Sequence, residues 1–169
     1  MTKLFVPIFL LLSVCSFGQT KNYSEKEVYR LFKKSISQTD KKKINIPSNP
    51  WLFCNNDSTF YLSDTLRLVS NSYHNHKIDN CCDYVGWTFY KQDKFISTRL
   101  QLCKEPTTAS ATKDKDHFDL KVFSTDNYLT LSIFNNNKLV ESFKIIDISS
   151  FKQEDTDLTS TVITLFRLR

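Results

Sequence analysis

Residues 82–103 read CDYVGWTFYKQDKFISTRLQLC, two runs of β-branched and aromatic side chains around a polar Lys-Gln-Asp-Lys break. Alternation on both sides of so short a break predicts an antiparallel hairpin. A two-residue loop at Gln92-Asp93 pairs Val85, Trp87 and Phe89 with Leu100, Thr98 and Ile96, giving one apolar face. The other face sets Tyr84, Gly86, Thr88 and Tyr90 against Gln101, Arg99, Ser97 and Phe95 and is wetter. Such a division fixes register, because a slip of one residue sends every side chain to the opposite face.

Extended outward, this register sets Cys82 opposite Cys103 as a non-hydrogen-bonded pair, with Cα atoms about 4.5 Å apart. Disulfides accept Cα separations of about 4.4–6.8 Å. Cys82–Cys103 is therefore allowed, leaving Cys54–Cys81. A bulge within the hairpin would break the register, and Cys81–Cys103 with Cys54–Cys82 is the alternative. Each bridge would stabilise the chain by about 3 kcal/mol through loop closure.

The same β texture continues along the chain. Strands are expected near 59–62, 65–70, 84–90, 94–102, 117–123, 127–134, 139–148 and 160–168, separated by Asn and Asp clusters that tolerate positive φ. A second hairpin with a three-residue loop at Asn135-Asn136-Asn137 would face Leu129, Leu131 and Ile133 with Phe143, Glu141 and Leu139. Glu141 is out of place on that face: either that end of the sheet meets solvent, or the carboxylate points into a polar cavity. No helices alternate with the strands, so a parallel α/β sheet is disfavoured.

Ahead of the β region, residues 22–38 carry a helix signal. Ser24 and Glu27 form a capping box, Tyr23 and Val28 a staple, and Val28, Leu31, Phe32 and Ile36 one apolar stripe. Residues 39–50 read as a linker with Lys41, Lys42 and Lys43 followed by Pro47 and Pro50. Residues 19–50 hold eight Lys/Arg against three Asp/Glu, whereas residues 51–169 hold fourteen against fifteen. The chain's net charge of +5 thus resides in the N-terminal arm, which could meet an anionic envelope surface or an acidic protein partner. Earlier still, Lys3, the apolar run from Leu4 to Val14 and the Ser16-Phe17-Gly18 site read as a signal peptide over 1–18. Val14 is too large for the lipidation motif that Cys15 would need. The expected organisation is a signal peptide (1–18), a helix with a basic linker (19–50) and a β domain (51–169). No second run is long enough for a membrane helix. Export to the periplasm, the outer surface or the medium also suits an even set of four remaining cysteines.

Chemistry is mostly excluded by composition. Two glycines cannot build a phosphate loop, a dinucleotide fingerprint or a glycine-rich lid. No nucleophile elbow ties Ser, His and Asp together, and His117 sits in a charged loop leading to a strand. No catalytic residue and no cofactor is expected. His74, His76, Asp79, Cys81 and Cys82 lie close together, but their spacing matches no zinc site and oxidation removes the thiolates, so no metal is expected. The carboxylates Asp114/Asp116 and Glu154/Asp155/Asp157 lack the spacing of a calcium loop. Nucleic-acid stacking needs a basic groove, which an acidic β body does not offer. The aromatic residues are the feature that hints at a ligand. Inside a barrel they either fill it as core or line an apolar pocket.

Three stretches carry a resemblance: CDYVGWTFYKQDKF from Cys82, YLTLSIFNNNKLVESFKIIDI from Tyr128 and STVITLFRLR from Ser160. They are similar to the small exported lipocalin-like proteins of Gram-negative bacteria, in which a W-x-F strand precedes a hairpin and the last strand carries a Leu ahead of an Arg. Trp87 and Phe89, Leu129 and Leu131, Phe143 and Ile145, and Leu165 and Arg167 occupy the matching positions. The resemblance implies an antiparallel barrel in the envelope. The expected fold is therefore a mainly β, lipocalin-like antiparallel barrel of about eight strands with an N-terminal helix. The functional expectation is a small apolar ligand held by Trp87, Phe89, Ile96, Leu131 and Phe143. The alternative is an interaction module with a filled barrel, meeting an envelope or protein partner through residues 19–50.

Overall fold

The computed structural model describes residues 23–36, 38–39, 45–46, 49–70, 81–111, 115–125, 127–152 and 159–169. The expected signal peptide, the Lys41–Lys43 run, the His74/His76/Asp79 group, Asp114 and the Glu154/Asp155/Asp157 cluster lie outside these residues.

Helix α1 (Glu25–Lys34) begins as its capping box dictates: Ser24 Oγ accepts from Glu27 N at 3.3 Å, and Glu27 Oε2 accepts from Ser24 N at 2.8 Å. Two short strands, β1 (Gln38–Thr39) where the expected helix segment meets the linker and β2 (Asn45–Ile46) within the linker, pair with each other. The body then runs through β3 (Trp51–Cys54), a 3-10 turn at Asn56–Ser58, helix α2 (Thr59–Leu62), β4 (Thr65–Ser70), β5 (Asp83–Lys91) and β6 (Lys94–Gln101). It finishes with β7 (Thr108–Ser110), β8 (His117–Thr125), β9 (Tyr128–Asn135), β10 (Lys138–Lys152) and β11 (Thr159–Leu168). Eight strands pair antiparallel in the order β5-β3-β4-β11-β10-β9-β8-β6, and pairing of β5 with β6 closes them into a barrel. β7 adds to the edge of β6 beyond the point where β8 leaves it.

Several expectations are corrected. Residues 59–62 are helical, not a strand. Asn55 Oδ1 accepts from Phe60 N at 3.0 Å and Thr59 Oγ1 donates to Cys54 O, so local side chains cap a turn where Phe-Tyr composition suggests extension. The strand lies just before it, at β3, which pairs with both β4 and β5.

The first hairpin keeps its short loop, Lys91 opposite Lys94, but an irregularity at Tyr90 moves the rest by one residue. Val85, Trp87 and Phe89 therefore face Arg99, Ser97 and Phe95. Phe95 turns into the barrel, while Ile96 and Leu100 turn outward. In the second hairpin the loop is Asn136-Asn137, both left-handed with φ of 48° and 62°, as a two-residue hairpin turn of this kind requires. A further irregularity at Val140 then sets Glu141 opposite Ile133 and Phe143 opposite Leu131. Such one-residue insertions bend and twist a sheet, which a closing barrel needs.

The core is one apolar cluster inside the barrel, to which α1 contributes Val28 and Phe32 with no exposed surface. A smaller cluster of Leu52, Cys81, Tyr84 and Leu100 covers the outer face of β3, β5 and β6. There Gly86 has no Cβ, and Leu52 and Leu100 approach to 3.1 Å of where one would stand. The sulfur pairs are Cys54–Cys81 and Cys82–Cys103, with Cα atoms 5.9 and 5.1 Å apart. The shifted register sets Leu102, not Cys103, against Cys82, with Leu102 N donating to Cys82 O at 2.9 Å. Cys103 reaches its partner because β6 has already ended at Gln101. Among the described residues no helix is long and apolar enough to cross a membrane.

Candidate functional site

Four of the five residues expected around a ligand meet inside the barrel. Trp87, Phe89, Leu131 and Phe143 are each 1% exposed or less. Ile96 does not join them. It stands on the outer face, half-buried, between Thr88 and His117, because the irregularity at Tyr90 reverses its side.

Trp87 on β5 and Phe143 on β10 come from opposite walls, yet their ring centroids are 6.4 Å apart. The rings continue in both directions. Trp87 lies 4.8 Å from Phe95, Phe95 lies 5.3 Å from Phe89, and Phe89 stacks on Phe32 of α1 at 4.3 Å. On the other side the Arg167 guanidinium carbon lies 5.6 Å from the centroid of Phe143 and 5.9 Å from that of Phe60 on α2. A column of rings thus runs from the helix at one end to the helix at the other, interrupted only by one guanidinium.

Arg167 follows the inward alternation of Ile163 and Leu165 along β11. Its Nη2 donates to Phe60 O at 2.7 Å and its Nη1 to Tyr61 O at 3.2 Å, so it holds α2 by its backbone. Its ion partner is Glu141, at 3.4 Å. The carboxylate that looked misplaced in the sequence therefore points into a polar spot inside the barrel. Burial pushes the Glu141 carboxyl up, and Arg167 pulls it back only in part.

At the other end α1 is stitched to unpaired strand edges. Val122 N donates to Tyr29 Oη at 2.9 Å, Ser124 N donates to Glu25 Oε1 at 2.6 Å, and Tyr23 Oη donates to Ile148 O. Trp51 Nε1 donates to Ser35 Oγ at 3.2 Å, just after the helix.

Outside the barrel, a cleft of about 310 Å³ opens between the Asn55–Ser58 turn and strands β5, β6 and β7. Asp57, Ser58, Asp83, Arg99, Gln101 and Ser110 give it a polar lining over a floor of Tyr84 and Leu100. Asp57 and Ser58 both adopt left-handed backbone, at φ 55° and 60°. The turn is held from below: Asn55 N donates to Asp83 O at 2.7 Å, and Asn56 Oδ1 accepts from Cys82 N and Asp83 N at 3.3 Å. This cleft joins segments far apart in the chain and leaves almost no mark in the linear sequence. Its only linear signal is that Asn55 follows Cys54, Asp83 follows Cys82, and Gln101 nearly precedes Cys103.

Among the described residues no group of three His, Cys, Asp or Glu side chains is placed to hold a metal. No protein-family model, no curated protein and no solved structure matches this chain. Its kind is therefore given by its own geometry: a mainly β chain, closed as an eight-stranded antiparallel barrel and carrying two disulfides of the sort found in oxidising compartments.

Proposed function

We propose that this protein is an exported binding module, not an enzyme, whose barrel is a filled scaffold and whose partner is met on the outer surface. The observation that carries this reading is the approach of Trp87 to Phe143 across the barrel, 6.4 Å between centroids. A lipocalin-like binder needs open space between those walls, and here their own rings occupy it. The helices at both ends, Phe32 on one and Phe60 on the other, add to the same picture. Export is supported by the two disulfides, which small proteins keep in oxidising surroundings.

The test is native mass spectrometry of the full chain with a long-chain fatty acid, together with displacement of a polarity-sensitive dye. No stoichiometric fatty acid and no dye displacement are expected. A retained fatty acid would return the apolar ligand of the barrel as the better reading. A contribution from the N-terminal arm is best probed through the exposed Lys33 and Lys34, since deleting residues 19–50 would also remove Val28 and Phe32 from the core. Lys33→Glu with Lys34→Glu should weaken capture of an acidic partner and leave folding intact.

A further inference from the structure

We propose that the cleft between the Asn55–Ser58 turn and strands β5, β6 and β7 is a binding site for a neutral saccharide. This rests on reading the barrel as a filled scaffold that binds from outside, and it names the class of ligand.

The lining decides the class. Asp57 and Asp83 offer carboxylate acceptors, Arg99 offers guanidinium donors, and Ser58 and Ser110 offer hydroxyls that can do either. A ligand made of adjacent hydroxyls, each donor and acceptor at once, satisfies such a mixture. An inorganic anion would face two carboxylates beside one cation. A bare metal ion would have the Arg99 guanidinium beside it, and no group of three His, Cys, Asp or Glu side chains is placed to hold one among the described residues. Tyr84 and Leu100, 5% and 8% exposed, form an apolar floor for the carbon face of a sugar ring. Beside the cleft, Arg99 Nη2 donates to Tyr61 Oη at 3.3 Å and its guanidinium carbon lies 5.7 Å from the ring centroid of Tyr61, a residue 45% exposed that extends the aromatic surface. The volume of about 310 Å³ suits one or two sugar rings, at the small end of ligand sites.

Rigidity points the same way. Polar recognition of hydroxyls gains little unless the protein groups are already in place. Both disulfides adjoin the lining, through Cys54 before Asn55 and Cys82 before Asp83, and Asn56 ties the turn to the start of β5. The two left-handed residues of the turn are held by these contacts in a conformation that free chains avoid.

The experiment is an amide-resonance titration of the isotope-labelled full chain, disulfides intact, with maltose, cellobiose and chitobiose. Inorganic phosphate and trilysine serve as competing chemistries. At least one disaccharide should give saturable shifts at Asp57, Ser58, Asp83, Arg99 and Ser110. Asp83→Asn should weaken that response about tenfold, the loss of one charge-assisted hydrogen bond. Ser110→Trp, an exposed position on β7, should abolish it by filling the cleft. If Asp83→Asn disturbs β5, the exposed Asp57→Ala replaces it with the same expected loss. No saturable shift with any of the sugars, a response that survives Ser110→Trp, or binding of phosphate or trilysine in their place overturns the proposal. Such a failure, with fatty acid still excluded from the barrel, removes the saccharide and leaves the filled scaffold. Fatty-acid uptake removes the scaffold reading itself.

Discussion

At one end of the barrel a helix of 10 residues seals the core with Val28 and Phe32; at the other a helix of 4 residues is held by Arg167 beside a disulfide-bonded segment. The first closure is mainly apolar, with Tyr23, Glu25 and Tyr29 adding hydrogen bonds to strand backbone. The α1 sequence caps itself, forms an amphipathic face and buries that face on rings already present in the barrel. The second is polar and borrowed. α2 is too short to be stable alone, and it persists because Arg167 takes two of its carbonyls, Asn55 caps it and Cys54 anchors its approach. The longer helix brings its own cap and apolar face to the barrel end. A short one needs contributions from several distant strands, and removing any one of them exposes the others.

That contrast can be broken most forcefully at Phe32. Phe32→Ala should cost about 3–5 kcal/mol, because it removes a ring stacked on Phe89 and packed against Trp51 and leaves a cavity. Urea unfolding followed by far-ultraviolet circular dichroism checks it. A loss below about 1 kcal/mol would mean that α1 only decorates the barrel.

Next in size is the covalent part of the other end. Opening Cys54–Cys81 or Cys82–Cys103, which close segments of 27 and 21 residues, should each cost about 3 kcal/mol. Unfolding midpoints of Cys54→Ala/Cys81→Ala and Cys82→Ala/Cys103→Ala measure this. Unchanged midpoints would leave Arg167 and the Asn55 cap to hold α2.

Arg167→Ala comes third, at about 2 kcal/mol, less than a fully buried pair because the Glu141 side chain keeps 25% of its exposure. Hydrogen exchange should rise first at α2, whose carbonyls lose their donor. If exchange rises evenly over the barrel, the clamp is not local.

The smallest effect is expected for Glu141→Gln, within about 1 kcal/mol at neutral pH. Burial raises the Glu141 carboxyl above its ordinary 4.5 in the folded state. A group so raised gives its stability below the unfolded value, and that stability is lost as pH rises through the folded value. Relative to Glu141→Gln, the native chain should therefore gain stability as pH falls from just above the carboxylate range toward 4.5. A difference with the opposite slope would show that attraction to Arg167 outweighs desolvation.

The α1 end was legible in the sequence, since Ser24, Glu27, Val28 and Phe32 lie within one helix and its cap. The barrel class was legible too, because alternation and turn residues are local signals. The registers were not. The irregularities at Tyr90 and Val140 answer the curvature of the closed sheet, which no single hairpin encodes, and they moved Ile96 outward and Phe95 inward. Cysteine pairing survived the shifted register because β6 ends before Cys103 and lets it swing toward Cys82. Glu141 announced itself as an anomaly, but its partner Arg167 lies on another strand and no spacing rule joins them. The cleft was invisible for the same reason: a turn, two strands and the short β7 contribute to it from separate parts of the chain.

The burial of both tryptophans has a practical meaning. Trp51 and Trp87, the only indoles in the chain, are each 1% exposed. Their fluorescence should be blue and should redden when α1 leaves Trp51 or the sheet opens. Emission will therefore report loss of the core while staying silent on events in the outer cleft, which must be followed by probes placed there.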